Sequence, residues 1–126
     1  SAAVKLLVEE AESSALAEAA EGLELFACDL VETELRRYAV RWSLPQIHVT
    51  QLIESLNLLE LDRAAYREAG LLPFPGLRTL DALHLVAALR MDAPSLLTYD
   101  VRMIEAARSL GLEVLSPGFE PYGAHP

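Results

Sequence analysis

The chain has one cysteine, one lysine and one tryptophan among its 126 residues, and no long apolar run. With Cys28 alone, neither an internal disulfide nor a cysteine-rich zinc site is available, and nothing points to an oxidising compartment. No stretch approaches the roughly 18 apolar residues that span a bilayer, and no basic segment leads into an apolar one at the start. Membrane and secretory readings fall away, and a cytoplasmic setting is expected. Positive charge is also scarce: 10 Lys and Arg stand against 19 Asp and Glu, for a net charge of −9. A protein that coats nucleic acid non-specifically needs a basic surface that releases counterions, so that class is excluded. A nuclease is not, because part of the negative charge can sit in a metal site whose ion inverts the local potential. Every basic residue except Lys5 is arginine. That suits forked contacts to phosphate or carboxylate, although a GC-rich coding sequence gives the same bias. There is no Ser-His-Asp order, glycine-rich phosphate loop or CxxC motif.

What is present is a globular composition, 52% hydrophobic and 23% charged, in a length that fits one domain over residues 1–126. Residues 2–20 carry strong helix formers at helical spacing, and LELFACD after Gly22 reads as a short buried strand. Asp29 and Glu32 have the spacing of a capping box, which opens a helix from Leu30 to Trp42. Apolar residues from Gln46 to about Leu59 predict a second helix, and Leu61 to Ala69 a third that ends at Gly70. The prolines and glycine of LLPFPGLR make a loop, after which Thr79 is expected to cap TLDALHLVAALR. This helix is apolar almost all round and should be the most buried. SLLTY reads as a core strand, Asp100 caps VRMIEAARSL, Gly111 closes that helix and LEVL forms a last strand. Residues 116–126, with three of the seven prolines, form a tail. Strands alternating with helices predict an α/β sandwich, its parallel sheet covered on both faces.

Three carboxylates stand out: Glu34 in VETEL, Asp81 in LRTLDALHL and Asp100 in SLLTYD. Ligands bind open parallel sheets at the carboxyl ends of the strands, where Asp100 directly follows one, Glu34 lies on the helix after another, and Asp81 lies in the first turn of a helix leading into a third. Together they would repel one another strongly unless a hard cation such as Mg²⁺ or Mn²⁺ joined them, with Thr98 in support. Singly they have plain structural explanations. Asp100 fits an N-cap, Glu34 a surface pair with Arg37 or Tyr38, and Asp81 the positive end of its helix. Arg37, Arg78 and Arg102 are placed to hold RNA phosphates, or belong to a solvated face. His84, one turn after Asp81, reads as a packing residue with one satisfied nitrogen, and Cys28 and Trp42 as packing residues.

The ordered phrases SAAVKLLVEE, DLVETELRR, LRTLDALHLVAAL and LLTYDVRMIEAARSLGLEVLSPG resemble a PIN domain of the VapC-type toxins of bacterial toxin–antitoxin pairs. The resemblance implies a three-layer α/β/α sandwich and a Mg²⁺- or Mn²⁺-dependent endoribonuclease. It implies cleavage of structured RNA of the tRNA or rRNA class, a homodimer, and neutralisation by a cognate VapB-type antitoxin. It makes Glu34, Asp81 and Asp100 catalytic metal ligands, with Thr98 nearby. It also implies a short hydrophobic strand, ending in an Asp, ahead of the segment that here reads SAAVKLL. That strand lies in the middle of the family's sheet, and without it and its acidic ligand weak metal binding and little activity are expected. Two other readings compete. In one the chain is an impaired interaction module whose acidic site takes an arginine from a basic, antitoxin-like partner. In the other it is a phosphorylatable receiver domain, which would need a lysine near its C-terminal strands, where this chain has none.

Overall fold

The computed structural model describes residues 17, 18, 21 and 24–118. The expected first helix, but for Ala17 and Glu18, the expected strand ahead of Ser1 and the tail beyond Gly118 lie outside the described residues. Within them run β1 (Phe26–Cys28), α1 (Leu30–Arg41), α2 (Gln46–Glu54), β2 (Asn57–Leu59), α3 (Arg63–Gly70), α4 (Thr79–Arg90), β3 (Ser95–Leu97), α5 (Val101–Ser109) and β4 (Glu113–Leu115).

The strands pair two and two, both pairs parallel. β1 lies beside β2 with Ala27 opposite Leu58, and β3 beside β4 with Leu96 opposite Val114. Successive strand side chains point to opposite faces, and the packing follows that alternation. Ala27 packs against Val31, Leu35, Ala39 and Val49 of α1 and α2, whereas the neighbouring Cys28 packs against Ala65 of α3 and Ala82 and Val86 of α4. β1 is thus covered by helices on both faces, as the α/β/α expectation requires. Leu96 of β3 and Val114 of β4 rest on Leu85 of α4 and Met103 of α5. Both strand pairs therefore meet on α4, six of whose twelve residues are buried. The all-round apolar pattern of TLDALHLVAALR has this origin.

Three helices end with the same closure. After α1, α4 and α5 the chain turns through Ser43 (φ 54°), Asp92 (φ 50°) and Gly111 (φ 85°). In each case the next amide donates to a carbonyl inside the last helical turns, Leu44 to Ala39, Ala93 to Ala88 and Leu112 to Ala107. This is a Schellman motif, and only at Gly111 does the left-handed backbone come without a side-chain penalty.

Several expectations are corrected. The helix predicted from Gln46 to Leu59 stops at Glu54, and Asn57–Leu59 is a strand, its entry fixed by the Asn57 amide donating to Leu25 O. The capping box does not form: Asp29 is itself helical (φ −61°, ψ −17°) with no side-chain cap, and Glu32 pairs forward with Arg36 at 2.9 Å. Thr79 does not cap α4. It is the first helical residue, and Arg78 holds the cap position without a side-chain bond. Asp62 caps α3 through Ala65 N–H at 2.8 Å, so that helix starts at Arg63 and not Leu61.

Cys28 is 1% exposed and packed in the core, as expected of a structural cysteine. Burial pushes its thiol from 9.0 up to about 11, helped by the negative charges of Asp29 and Glu34. At pH 8 it holds roughly a hundredth of the thiolate of a free cysteine, and the thiolate is the reactive form. Folded protein should therefore react with Ellman's reagent at least about a hundredfold more slowly than urea-unfolded protein. A fast phase in the native state would contradict this packing.

Candidate active site

The site lies where β1 and β3 give way to α1 and α5, at the first two turns of α4. Thr98 follows β3 and is only 6% exposed. Its amide donates to Leu115 O and its Oγ1 accepts from the Asp100 amide at 3.2 Å. Ser116 Oγ donates to its carbonyl oxygen. Thr98 thus fixes the strand-to-helix turn on which Asp100 is carried. Asp100 is the N-cap of α5, with Oδ1 accepting from Met103 N–H at 3.0 Å, as expected. A cap uses one carboxylate oxygen, and Oδ2 has no hydrogen-bond partner among the described residues.

Asp81 stands in the first turn of α4, partly buried. Burial holds its carboxyl above the ordinary value of 3.8, and the charge of Asp100 raises it further, against opposing pulls from His84 and Arg78. The structure therefore sets Asp81 and Asp100 close enough to repel each other. A group that shifts upward from burial plus a like charge marks a place where a cation or proton is wanted.

Glu34 reaches the same helix by a route not read from the sequence. On α1 it pairs with neither Arg37 nor Tyr38. It takes His84 of α4, whose Nε2 meets Glu34 Oε1. A carboxylate only accepts, so the imidazole is the donor. His84 has one nitrogen satisfied, as expected of it, and the sequence does not name Glu34 as the partner. Its position one turn after Asp81 on the same helix face is the available signal. The ring ties Glu34 to α4, one turn after Asp81. Among the described residues no three His, Cys, Asp or Glu side chains form a ready metal-ligating group. What the structure assembles is an Asp81–Asp100 pair with Glu34 attached through His84. This donor set is all carboxylate oxygen at its centre, and it suits a hard cation better than a soft one.

The arginines stand as follows. Arg78, exposed, sits at the start of α4 and draws on Asp81. Arg102, exposed in the first turn of α5, lays its stem within van der Waals reach of Gly76, where a Cβ would stand 3.8 Å from its Cδ. Arg37 is exposed on α1. Arg78 therefore stands by Asp81, Arg102 lies two residues past Asp100 against the loop before α4, and Arg37 lies on α1. A separate cavity of about 320 Å³ lies between α3 and the loop before α4, lined by Tyr66, Leu72, Phe74, Leu77, Ala82 and Leu83 among others. Its lining holds no carboxylate or histidine, so it is no part of this site. No described helix is long and apolar enough to cross a membrane.

The sequence profile of the PIN domain matches residues 1–109. Among curated proteins, Ribonuclease VapC46 of Mycobacterium tuberculosis (strain ATCC 25618 / H37Rv) is 40% identical over 131 residues, covering 93% of this chain and 93% of its own. Ribonuclease VapC35 of the same strain is 39% identical over 127 residues, covering 94% and 93%. Ribonuclease VapC47 of Mycobacterium tuberculosis (strain CDC 1551 / Oshkosh) is 31% identical over 127 residues, again covering 94% and 93%. No solved structure matches the chain. With the profile spanning most of its length and such relatives aligned over nearly all of it, the chain belongs to the PIN-domain family, in its VapC-type branch.

Proposed function

We propose that the protein is a divalent-metal-dependent endoribonuclease, the toxin of a toxin–antitoxin pair. The observation that carries this reading is Asp81, partly buried at the start of α4 against the charge of Asp100, while His84, one turn on, ties Glu34 to the same helix. The family membership and the ribonuclease names of the relatives support it. Glu34, Asp81 and Asp100 would hold Mg²⁺ or Mn²⁺, which when bound supplies an activated water and neutralises phosphate oxygens. Around it, Thr98 and Met103 N–H keep Asp100 aimed, His84 keeps Glu34 in place, and Arg37, Arg78 and Arg102 receive RNA phosphates. The RNA is of the tRNA or rRNA class and the working unit a homodimer in the cytoplasm. A VapB-type antitoxin inhibits it, a basic side chain of that partner meeting the acidic cluster.

Purified protein is expected to cleave RNA with Mg²⁺ or Mn²⁺ and to stop in excess EDTA. Cleavage that continues equally in chelator would overturn the reading. A second readout needs no substrate. A metal present at about 100 times its dissociation constant stabilises the folded state by about 2.7 kcal/mol, so Mn²⁺ should raise Tm of the wild type measurably and that of Asp81→Asn much less.

A further inference from the structure

Trp42 is the only tryptophan of the chain, and it is 58% exposed. The sequence suggests a packing residue, and the structure corrects that. At the end of α1 the Schellman closure through Ser43 carries Leu44, not Trp42, into the cluster of Val31, Leu35, Ala39 and Val49. The indole is left outside. It is nonetheless held: the guanidinium carbon of Arg41 stands 5.5 Å from the ring centroid, and the Tyr38 ring lies 6.2 Å away, tilted by 47°. Glu34, Arg37, Tyr38 and Arg41 fall at i, i+3, i+4 and i+7, along one flank of α1. That flank leads from the acidic site to the indole. Eight residues of helix separate Glu34 from Trp42, about 12 Å along the axis.

Arg36 is engaged by Glu32, and Arg90 by Asp62 and Glu68. Arg37 and Arg41 have no carboxylate partner among the described residues. An exposed indole beside arginines that are not spent on carboxylates is the combination that binds single-stranded nucleic acid, bases stacking on the ring and phosphates meeting the guanidinium groups. We propose that Trp42, with Arg41 and Tyr38, is a base-stacking platform that positions single-stranded RNA leading into the acidic site. It rests on the ribonuclease reading and extends it to how substrate is held. Trp42 is a positioning residue here, distant from the reacting bond. Val40 and Ile47, 57% and 58% exposed, widen the apolar surface and would also serve a protein contact, which the test must separate.

Because Trp42 is the sole indole, tryptophan fluorescence reports on it alone. In EDTA, a short oligouridylate is expected to quench wild-type emission saturably, by roughly half or more, with a midpoint that rises steeply with salt. In Mn²⁺, Trp42→Ala is expected to raise KM for single-stranded RNA roughly tenfold with kcat nearly unchanged, and Trp42→Phe to restore most of the loss. A merely structural role would move Tm and kcat instead. Unaltered emission with oligouridylate and an unchanged KM in a wild type that cleaves RNA would overturn the platform and leave the ribonuclease reading standing. Quenching without any metal-dependent cleavage would overturn that reading but keep RNA on Trp42. Emission that shifts with protein concentration alone, together with a doubled mass in light scattering, would assign the surface to a second copy and overturn the proposal.

Discussion

Asp81→Asn should lower metal-dependent RNA cleavage by at least about a hundredfold and at the same time raise the melting temperature at neutral pH. The loss follows from the proposed chemistry. A metal ion contributes several kcal/mol to the developing charge of the reaction, and each 1.36 kcal/mol is tenfold in rate. An amide keeps the shape of the carboxylate but gives up the charge that attracts the cation. The gain in stability follows from the position of the group. Burial and the charge of Asp100 raise the Asp81 carboxyl above 3.8, so the folded state binds this proton more tightly than the unfolded chain does. The sign is then fixed: stability is fullest below the unfolded pKa and falls as pH rises through the raised folded one. At neutral pH the wild type carries that penalty and the Asp81→Asn variant does not. The increase should be modest, because Asp81 is only partly buried and solvent screens part of the repulsion. Thermal melts of both proteins in EDTA should nearly coincide close to pH 4 and separate as pH rises. A variant that melts lower than wild type at pH 7, or that cleaves within about twofold of it, would contradict this account of Asp81.

Leu85→Ala should cost about 3 kcal/mol, within the range of roughly 2–5 kcal/mol for a fully buried leucine cut back to Ala. Leu85 is 0% exposed on α4, where it packs with Met103, Ala106 and Ala107 of α5 and with Leu96 and Val114 of the β3–β4 pair. It joins α4, α5 and this strand pair at one point, so the hole it leaves cannot close by the movement of one of them. Against a total stability of about 5–15 kcal/mol the loss is large, and Tm should drop by roughly 10 °C. Leu80, earlier on the same helix, is 45% exposed, and Leu80→Ala should stay within about 1 kcal/mol. Urea unfolding of the two variants checks both figures. Equal midpoints would mean that α4 is not the common support of the two strand pairs.

The fold is legible in the sequence where one signal dominates. Asp100 reads as a cap and is one, Gly111 reads as a helix stop and has the left-handed backbone that explains it, and the unbroken apolar face of α4 reads correctly as burial on several sides. Errors arise where two elements share a pattern. Leu56 and Leu59 continue the helical spacing of Ile53, and only pairing with Phe26–Cys28, distant in the chain, makes Asn57–Leu59 a strand. The capping box fails because the Asp29 amide donates to Leu59 O beside the β1–β2 pair, while Glu32 pairs one turn ahead with Arg36. In the site, Asp100 is readable from its strand end, and Asp81 from the loop that leads into its helix. The Glu34–His84 contact is not, because it joins residues 50 apart on two helices whose relative rotation no local pattern encodes. Trp42 misleads because a lone aromatic at a helix end looks the same in sequence whether it turns in or out.

Asp100 serves two masters, and this complicates any alanine scan of the active site. Its Oδ1 closes the amino end of α5 while its charge acts on Asp81. Asp100→Ala removes both, with about 0.5–2 kcal/mol for the lost cap, so an inactive Asp100→Ala protein would not distinguish a missing ligand from a frayed helix. Asparagine caps nearly as well as aspartate, and Asp100→Asn separates the two. At position 81 the side chain makes no cap hydrogen bond, so neutralisation there removes the charge at the cost of only its small contribution to the positive end of α4. For capturing an uncut RNA on an intact protein, the substitution belongs at Asp81.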